Sequence, residues 1–321
     1  MPQLDMPLEK LKTYAGRNPR PDDFDAYWER GLREMRSVDA QIELRPAEFQ
    51  IPTAECFDLF FTGVRGARIH AKYVRPKELA RPAPAVVQFH GYSADAGDWS
   101  NLLRWTAMGM CVVAMDCRGQ GGRSEDLGGV RGTTLNGHIV RGLDSDPSGD
   151  DLLFRQIYLD AAQLAALVIG FDEVDPARVG VCGGSQGGGL TLACAALEPR
   201  VARAAPHFPF LCDFQRVWEM DQAKDAYDEL RQFFRRHDPL HEREREWFTR
   251  LGYIDVQHLA DRIRGKVLMA CGLMDSICPP STQFAAFNRI RSEKELVIYP
   301  DFAHENLPGF ADRTANWMLA M

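Results

Sequence analysis

A chain of 321 residues can bury a large core, and 45% apolar with 26% charged residues is the balance of an ordinary globular protein. The formal charge of −7 argues against nucleic acid as partner, since phosphate binding needs clustered Lys and Arg. No stretch approaches the roughly 20 apolar residues of a membrane span, and Met1–Tyr14 lacks the apolar run of a signal peptide, so the cytoplasm is the expected compartment.

In chain order, the first predicted element is an amphipathic helix over Pro21–Ser37, with Phe24, Tyr27, Trp28, Leu32 and Met35 close to helical spacing. Strand-like runs at Glu55–Thr62 and Ala67–Val74 flank Gly63 and Gly66, which predicts an antiparallel hairpin. From Ala85 onward short apolar strands alternate with helices, the rhythm of a mostly parallel sheet covered on both faces. The strands are Ala85–Phe89, Val112–Met115, Arg178–Cys182, Val201–Ala205, Lys266–Cys271 and Glu295–Tyr299. The intervening helices are Trp99–Met108, Leu152–Ile169, Gly187–Leu197, Thr282–Ile290 and Phe310–Leu319.

One segment breaks the alternation. Between Val201–Ala205 and Lys266–Cys271 lies a long stretch rich in charge and aromatics, with Phe208–Phe214 loop-like and Asp221–Arg236 and Pro239–Leu251 helical. The expected organisation is a single α/β domain over 1–321, carrying an inserted lid or oligomer-contact segment at about 207–260. Eight cysteines show no CxxC pair and no Cys/His cluster with zinc spacing, and several sit in apolar runs. They read as buried free thiols, with Cys117, Cys212 and Cys278 near functional loops leaving room for one reactive thiol.

The chemistry is concentrated at Gly183-Gly184-Ser185-Gln186-Gly187, a G-x-S-x-G pattern after a strand and before a helix. A nucleophile on so sharp a turn is strained, and side chains two positions away would collide, hence glycine at 183 and 187. The absence of lysine excludes a phosphate-binding P-loop. In an α/β-hydrolase the triad runs in the chain order Ser, acid, His, each on a loop at the C-terminal end of a strand. That order rules out His70, His90 and His138 and selects His304, which follows the last strand and is the only histidine after Leu259. Asp275, after the strand Lys266–Cys271, is the acid; its rivals are Asp255 and Asp301, the latter better suited to a turn. The oxyanion donors expected are the backbone N–H groups of Gln186 and of Tyr92, in the loop His90-Gly91-Tyr92-Ser93.

Three motifs in this order resemble one family, the carbohydrate esterases that group acetyl xylan esterases with cephalosporin C deacetylases. They are Arg118-Gly119-Gln120, the elbow around Ser185, and His304-Glu305, and the similarity runs from the Asp22–Trp28 helix through Pro209-Phe210-Leu211 to the C-terminus. The resemblance implies an α/β-hydrolase that removes acetyl groups from small acetylated sugars and from cephalosporin C. It also implies a doughnut-shaped homohexamer with active sites facing an internal cavity. Arg118 and Gln120 are expected to be structural props behind the elbow, and no metal or organic cofactor is required. Where the family carries a tyrosine-rich stretch before arginine, this chain reads Asp151-Leu152-Leu153-Phe154-Arg155. A peptidase or dienelactone-type hydrolase on the same scaffold is disfavoured, the latter by serine rather than cysteine at the elbow. A non-catalytic binding protein would normally lack a member of the triad.

Overall fold

The computed structural model describes residues 4–79, 82–128 and 137–321. Its centre is a sheet of β1 (Glu43–Pro46), β2 (Ala54–Thr62), β3 (Arg68–Pro76), β4 (Ala83–Phe89), β5 (Cys111–Met115), β6 (Val174–Gly184), β7 (Arg203–His207), β8 (Lys266–Gly272) and β9 (Lys294–Tyr299). The spatial order is β1-β2-β3-β5-β4-β6-β7-β8-β9. The first three strands pair antiparallel, β3 meets β5 antiparallel, and every pair from β5 to β9 is parallel. Because β5 and β6 flank β4, the strand order reverses there, and loops at the C-terminal ends diverge to leave a crevice. This is the α/β-hydrolase fold.

Ten helices pack around the sheet among the described residues: α1 (Leu8–Leu11), α2 (Phe24–Ser37), α3 (Trp99–Thr106), α4 (Leu153–Ile169), α5 (Gln186–Leu197), α6 (Phe214–Glu219), α7 (Asp228–His237), α8 (Glu244–Leu251), α9 (Pro280–Arg289) and α10 (Phe310–Leu319). Alternate strand residues divide between two cores. Val87, Val113 and Val181 face α4 and α5, whereas Val86, Val112, Cys182 and Ala205 face Trp105 of α3 and Met318 of α10. Burial on both faces explains why these strands read as unbroken apolar runs. Helix α5 is buried along its whole length, so its sequence carries no polar stripe.

The predicted hairpin is present, with β2 and β3 in register from Ala54–Pro76 to Thr62–Arg68. Between β7 and β8, two helices start later than expected. The Asp221–Arg236 helix begins only at Asp228, because the backbone turns left-handed at Asp221 and Asp225. The Pro239–Leu251 helix begins at Glu244, since the Asp238 carboxylate accepts the N–H groups of Glu242 and Arg243 and bends the chain ahead of it. The residues that depart from the family's tyrosine-rich pattern are core residues: Leu152, Leu153 and Phe154 are buried, with Phe154 against Tyr158. Arg155 pairs with Glu34 at 2.8 Å and lies over the Tyr27 ring. Hydroxyls there would need buried partners; apolar side chains do not. All eight cysteines are free and buried, and among the described residues no helix is long and apolar enough to cross a membrane.

Candidate active site

Ser185 sits between the end of β6 and the start of α5 with φ 57° and ψ −122°, a conformation sparsely populated by residues with a side chain. The surrounding backbone holds it there. Its N–H donates to the His207 carbonyl at 3.1 Å, and its carbonyl accepts from Phe210 and Gly189 at 2.9 and 3.0 Å. A Cβ on Gly187 would stand 2.3 Å from the Phe89 carbonyl oxygen, and one on Gly183 would stand 2.6 Å from that of Gly187. Only glycine fits at either position, which is the steric content of G-x-S-x-G. Ser185 thereby sits at the N-terminus of α5, where first-turn N–H groups and partial positive charge gather.

Asp275 follows β8 and is fully buried. Its Oδ1 accepts the N–H groups of Ile277 and Cys278 at 2.9 and 2.8 Å, leaving Oδ2 to face His304 Nδ1 at 2.9 Å. His304, between β9 and α10, lays its ring on Phe208 with centroids 4.3 Å apart. The Ser185 hydroxyl and the His304 ring are not hydrogen-bonded to each other; both neighbour the Cys278 thiol. That thiol lies beside Ser185, and its Sγ, a carboxylate oxygen of Asp275 and a ring nitrogen of His304 are mutually within 4.8 Å. Burial, reinforced by the Asp275 charge, holds the Cys278 thiol far above the usual range and therefore neutral. The rival acids lie elsewhere. Asp301 is exposed in the turn after β9, and buried Asp255 accepts the N–H groups of Asp213, Phe214 and Gln257.

The loop after β4 brings Tyr92 alongside the elbow region. Gln120 Oε1 accepts the Ser93 N–H at 2.9 Å, and the side-chain amides of Gln120 and Gln186 pair reciprocally at 2.9 and 3.0 Å. One glutamine therefore ties the two loops that carry the candidate oxyanion donors. Arg118 is buried and grips Asp160 of α4 through Nε and Nη2 at 2.6 and 2.7 Å, with Nη2 also on the Val64 carbonyl. Gly119, at φ 70°, makes the turn between these two props. Glu305 accepts the Ala303 N–H at 3.0 Å and so shapes the turn that carries His304. A cavity of about 300 Å³ lies behind the elbow, lined by Gly183, His207, Phe208 and Phe310; neither Ser185, Asp275 nor His304 lines it.

Sequence reasoning missed Glu229. It opens α7 beside Asp228 in a charged amphipathic pattern that reads as a solvated helix face. Instead its carboxylate is buried, accepts the Tyr92 hydroxyl, and takes the N–H groups of His138 and Val140 at 3.1 and 2.9 Å. Burial pushes this carboxyl from 4.5 up to about 7, against the opposing pull of its hydrogen bonds. The folded chain thus keeps a proton that the unfolded chain has released. Stability from this group is complete below pH 4.5 and is lost as pH rises toward 7. The expected loss across that window is about 3 kcal/mol, and Glu229→Gln removes it. Urea unfolding at pH 5 and pH 8 measures the difference; an identical pH response in wild type and variant contradicts it.

The whole chain resembles proteins of known activity. Acetyl xylan esterase 1 from Thermoanaerobacterium sp. JW/SL YS485 superposes with a TM-score of 0.96 at 59% identity, covering 99% of each chain. The acetyl xylan esterase from Paenibacillus sp. R4 superposes at 0.92 with 36% identity, covering 98% of this chain and 99% of the other. A curated relative, acetyl esterase Axe7A of Xylanibacter ruminicola, is 27% identical over 306 residues, 92% of this chain, and this chain spans 65% of its length. With the family model for acetyl xylan esterase (AXE1) matching residues 1–321 from end to end, the chain belongs to the acetyl xylan esterase family.

Proposed function

We propose that the chain is a serine carboxylesterase that removes acetyl groups from small acetylated sugars such as xylo-oligosaccharides, and from cephalosporin C, through an acyl-enzyme. The observation that carries this reading is the 2.9 Å contact between His304 Nδ1 and buried Asp275, gathered around Cys278 with a serine held at φ 57°. Asp275 fixes the imidazole with its proton on Nδ1, leaving Nε2 basic. Ser185 attacks the ester carbonyl as Nε2 takes its proton, and the N–H groups of Tyr92 and Gln186 receive the oxyanion. The tetrahedral intermediate collapses, the sugar hydroxyl leaves with the proton from His304, and the acetyl group stays on Ser185. Water, deprotonated by His304, then attacks the acyl-enzyme; as the bond to Ser185 Oγ breaks, His304 returns the proton to that oxygen and acetate leaves. The Ser185–His304 hydrogen bond forms as substrate enters, a tightening common to sites of this kind.

The acyl group and its carrier are tested together. Acetylated xylo-oligosaccharide and cephalosporin C are expected to turn over with release of acetate, and acetyl esters faster than octanoyl esters. Faster octanoyl turnover points to a lipase-like pocket and sinks the deacetylase reading. By the same family likeness, six copies assemble with the segment at about 207–260 at the pocket mouth or between subunits; sedimentation velocity decides the assembly.

A further inference from the structure

We infer that Glu229 is a positioning residue through which the inserted segment sets the oxyanion-binding loop, acting on Tyr92. This rests on the serine-esterase reading above. A carboxyl group is a costly way to fill buried space, and an apolar side chain of similar size would avoid its desolvation. What the carboxylate supplies is several acceptor positions at one point. The backbone at 137–140 wraps around it so closely that a Cβ on Gly137 would stand 2.3 Å from Glu229 Oε1. The N–H groups of His138 and Val140 then point at its oxygens.

The remaining partner is the Tyr92 hydroxyl, which donates to Glu229 and accepts the His138 N–H at 2.7 Å. The Tyr92 ring is confined between the rings of His138 and Phe210, with centroids 5.0 and 5.5 Å away. Ser93, the next residue, is tied twice more: its N–H to Gln120, and its hydroxyl to His138 Nε2 at 3.0 Å. The peptide at Tyr92 is thus anchored on one side by the elbow glutamines and on the other by a carboxylate from α7. The titratable groups facing Glu229 are Tyr92 and His138, and no lysine or arginine pairs with it among the described residues. Loosening this anchor leaves the donor present but poorly aimed, and a misaimed donor weakens transition-state binding more than substrate binding.

The test is a double-mutant cycle on the full chain with p-nitrophenyl acetate. Glu229→Gln and Tyr92→Phe are each expected to lower kcat by about 10- to 100-fold while KM moves by less than about threefold. The double variant is expected to be no more than about twofold worse than the weaker single, because both changes break the same link. Tyr92→Phe removes one oxygen and leaves the carboxylate its amide partners, so the test survives even if Glu229→Gln fails to fold. Wild-type kcat in Tyr92→Phe, or losses that multiply in the double variant, overturns the inference. Ser185→Ala in the same assay separates the two readings: if it is dead while Tyr92→Phe keeps wild-type kcat, only the role of Glu229 falls.

Discussion

Ser185→Ala is expected to fold as the wild type does and to lose about 10⁵- to 10⁶-fold in kcat on acetyl esters. The fold should tolerate the change because the elbow is held by backbone groups: the Ser185 N–H on His207 and its carbonyl on Phe210 and Gly189. None of these needs the hydroxyl. The residual rate should remain above that of water, since the proposed oxyanion donors and substrate binding persist without a nucleophile. Labelling by a fluorophosphonate must disappear with the hydroxyl. The neighbouring Cys278 thiol is no substitute, because burial and the Asp275 charge keep it protonated. A variant that keeps more than about a tenth of the activity, in a preparation free of wild type, removes Ser185 from its role.

What could be read from the chain, and what could not, follows from how local each constraint is. The strands from β4 onward are legible because both faces are buried, which leaves unbroken apolar runs between turn residues. The elbow is legible because its sterics act over two residues: the carbonyls of Phe89 and Gly187 leave no space for a Cβ at 187 and 183. Asp275 and His304 are picked out by chain order relative to strands that were already legible.

Edge strand β1 is not legible, since Glu43–Pro46 is largely exposed and shows no alternation. Helix α6 starts where Asp213 adopts a left-handed conformation and receives the N–H groups of Arg17 and Asn18, partners nearly 200 residues away in the chain. No window of sequence contains that information. Glu229 fails for the same reason, and Cys278 is legible only as a thiol near a functional loop, not as a neighbour of Ser185. A glutamate at the head of a charged helix and a cysteine in a loop acquire meaning only when the fold turns one toward Tyr92 and the other toward Ser185.

The acid in the proposed relay is where sequence and geometry can be set most directly against each other. Asp275→Asn is expected to preserve the loop, because an amide oxygen can still accept the N–H groups of Ile277 and Cys278 now bound by Oδ1. The amide nitrogen must then face His304 Nδ1 in place of Oδ2. A nitrogen that donates there forces Nδ1 to accept, which moves the ring proton to Nε2 and blocks the base. The expected outcome is a loss of about 10⁴-fold in kcat with a cooperative thermal transition retained. Asp301→Asn, in an exposed turn, should leave kcat unchanged. Asp255→Asn should instead weaken the inserted segment, whose N–H groups at Asp213, Phe214 and Gln257 it holds. If Asp301→Asn proves as damaging as Asp275→Asn, the imidazole is oriented from a different side and the relay must be redrawn.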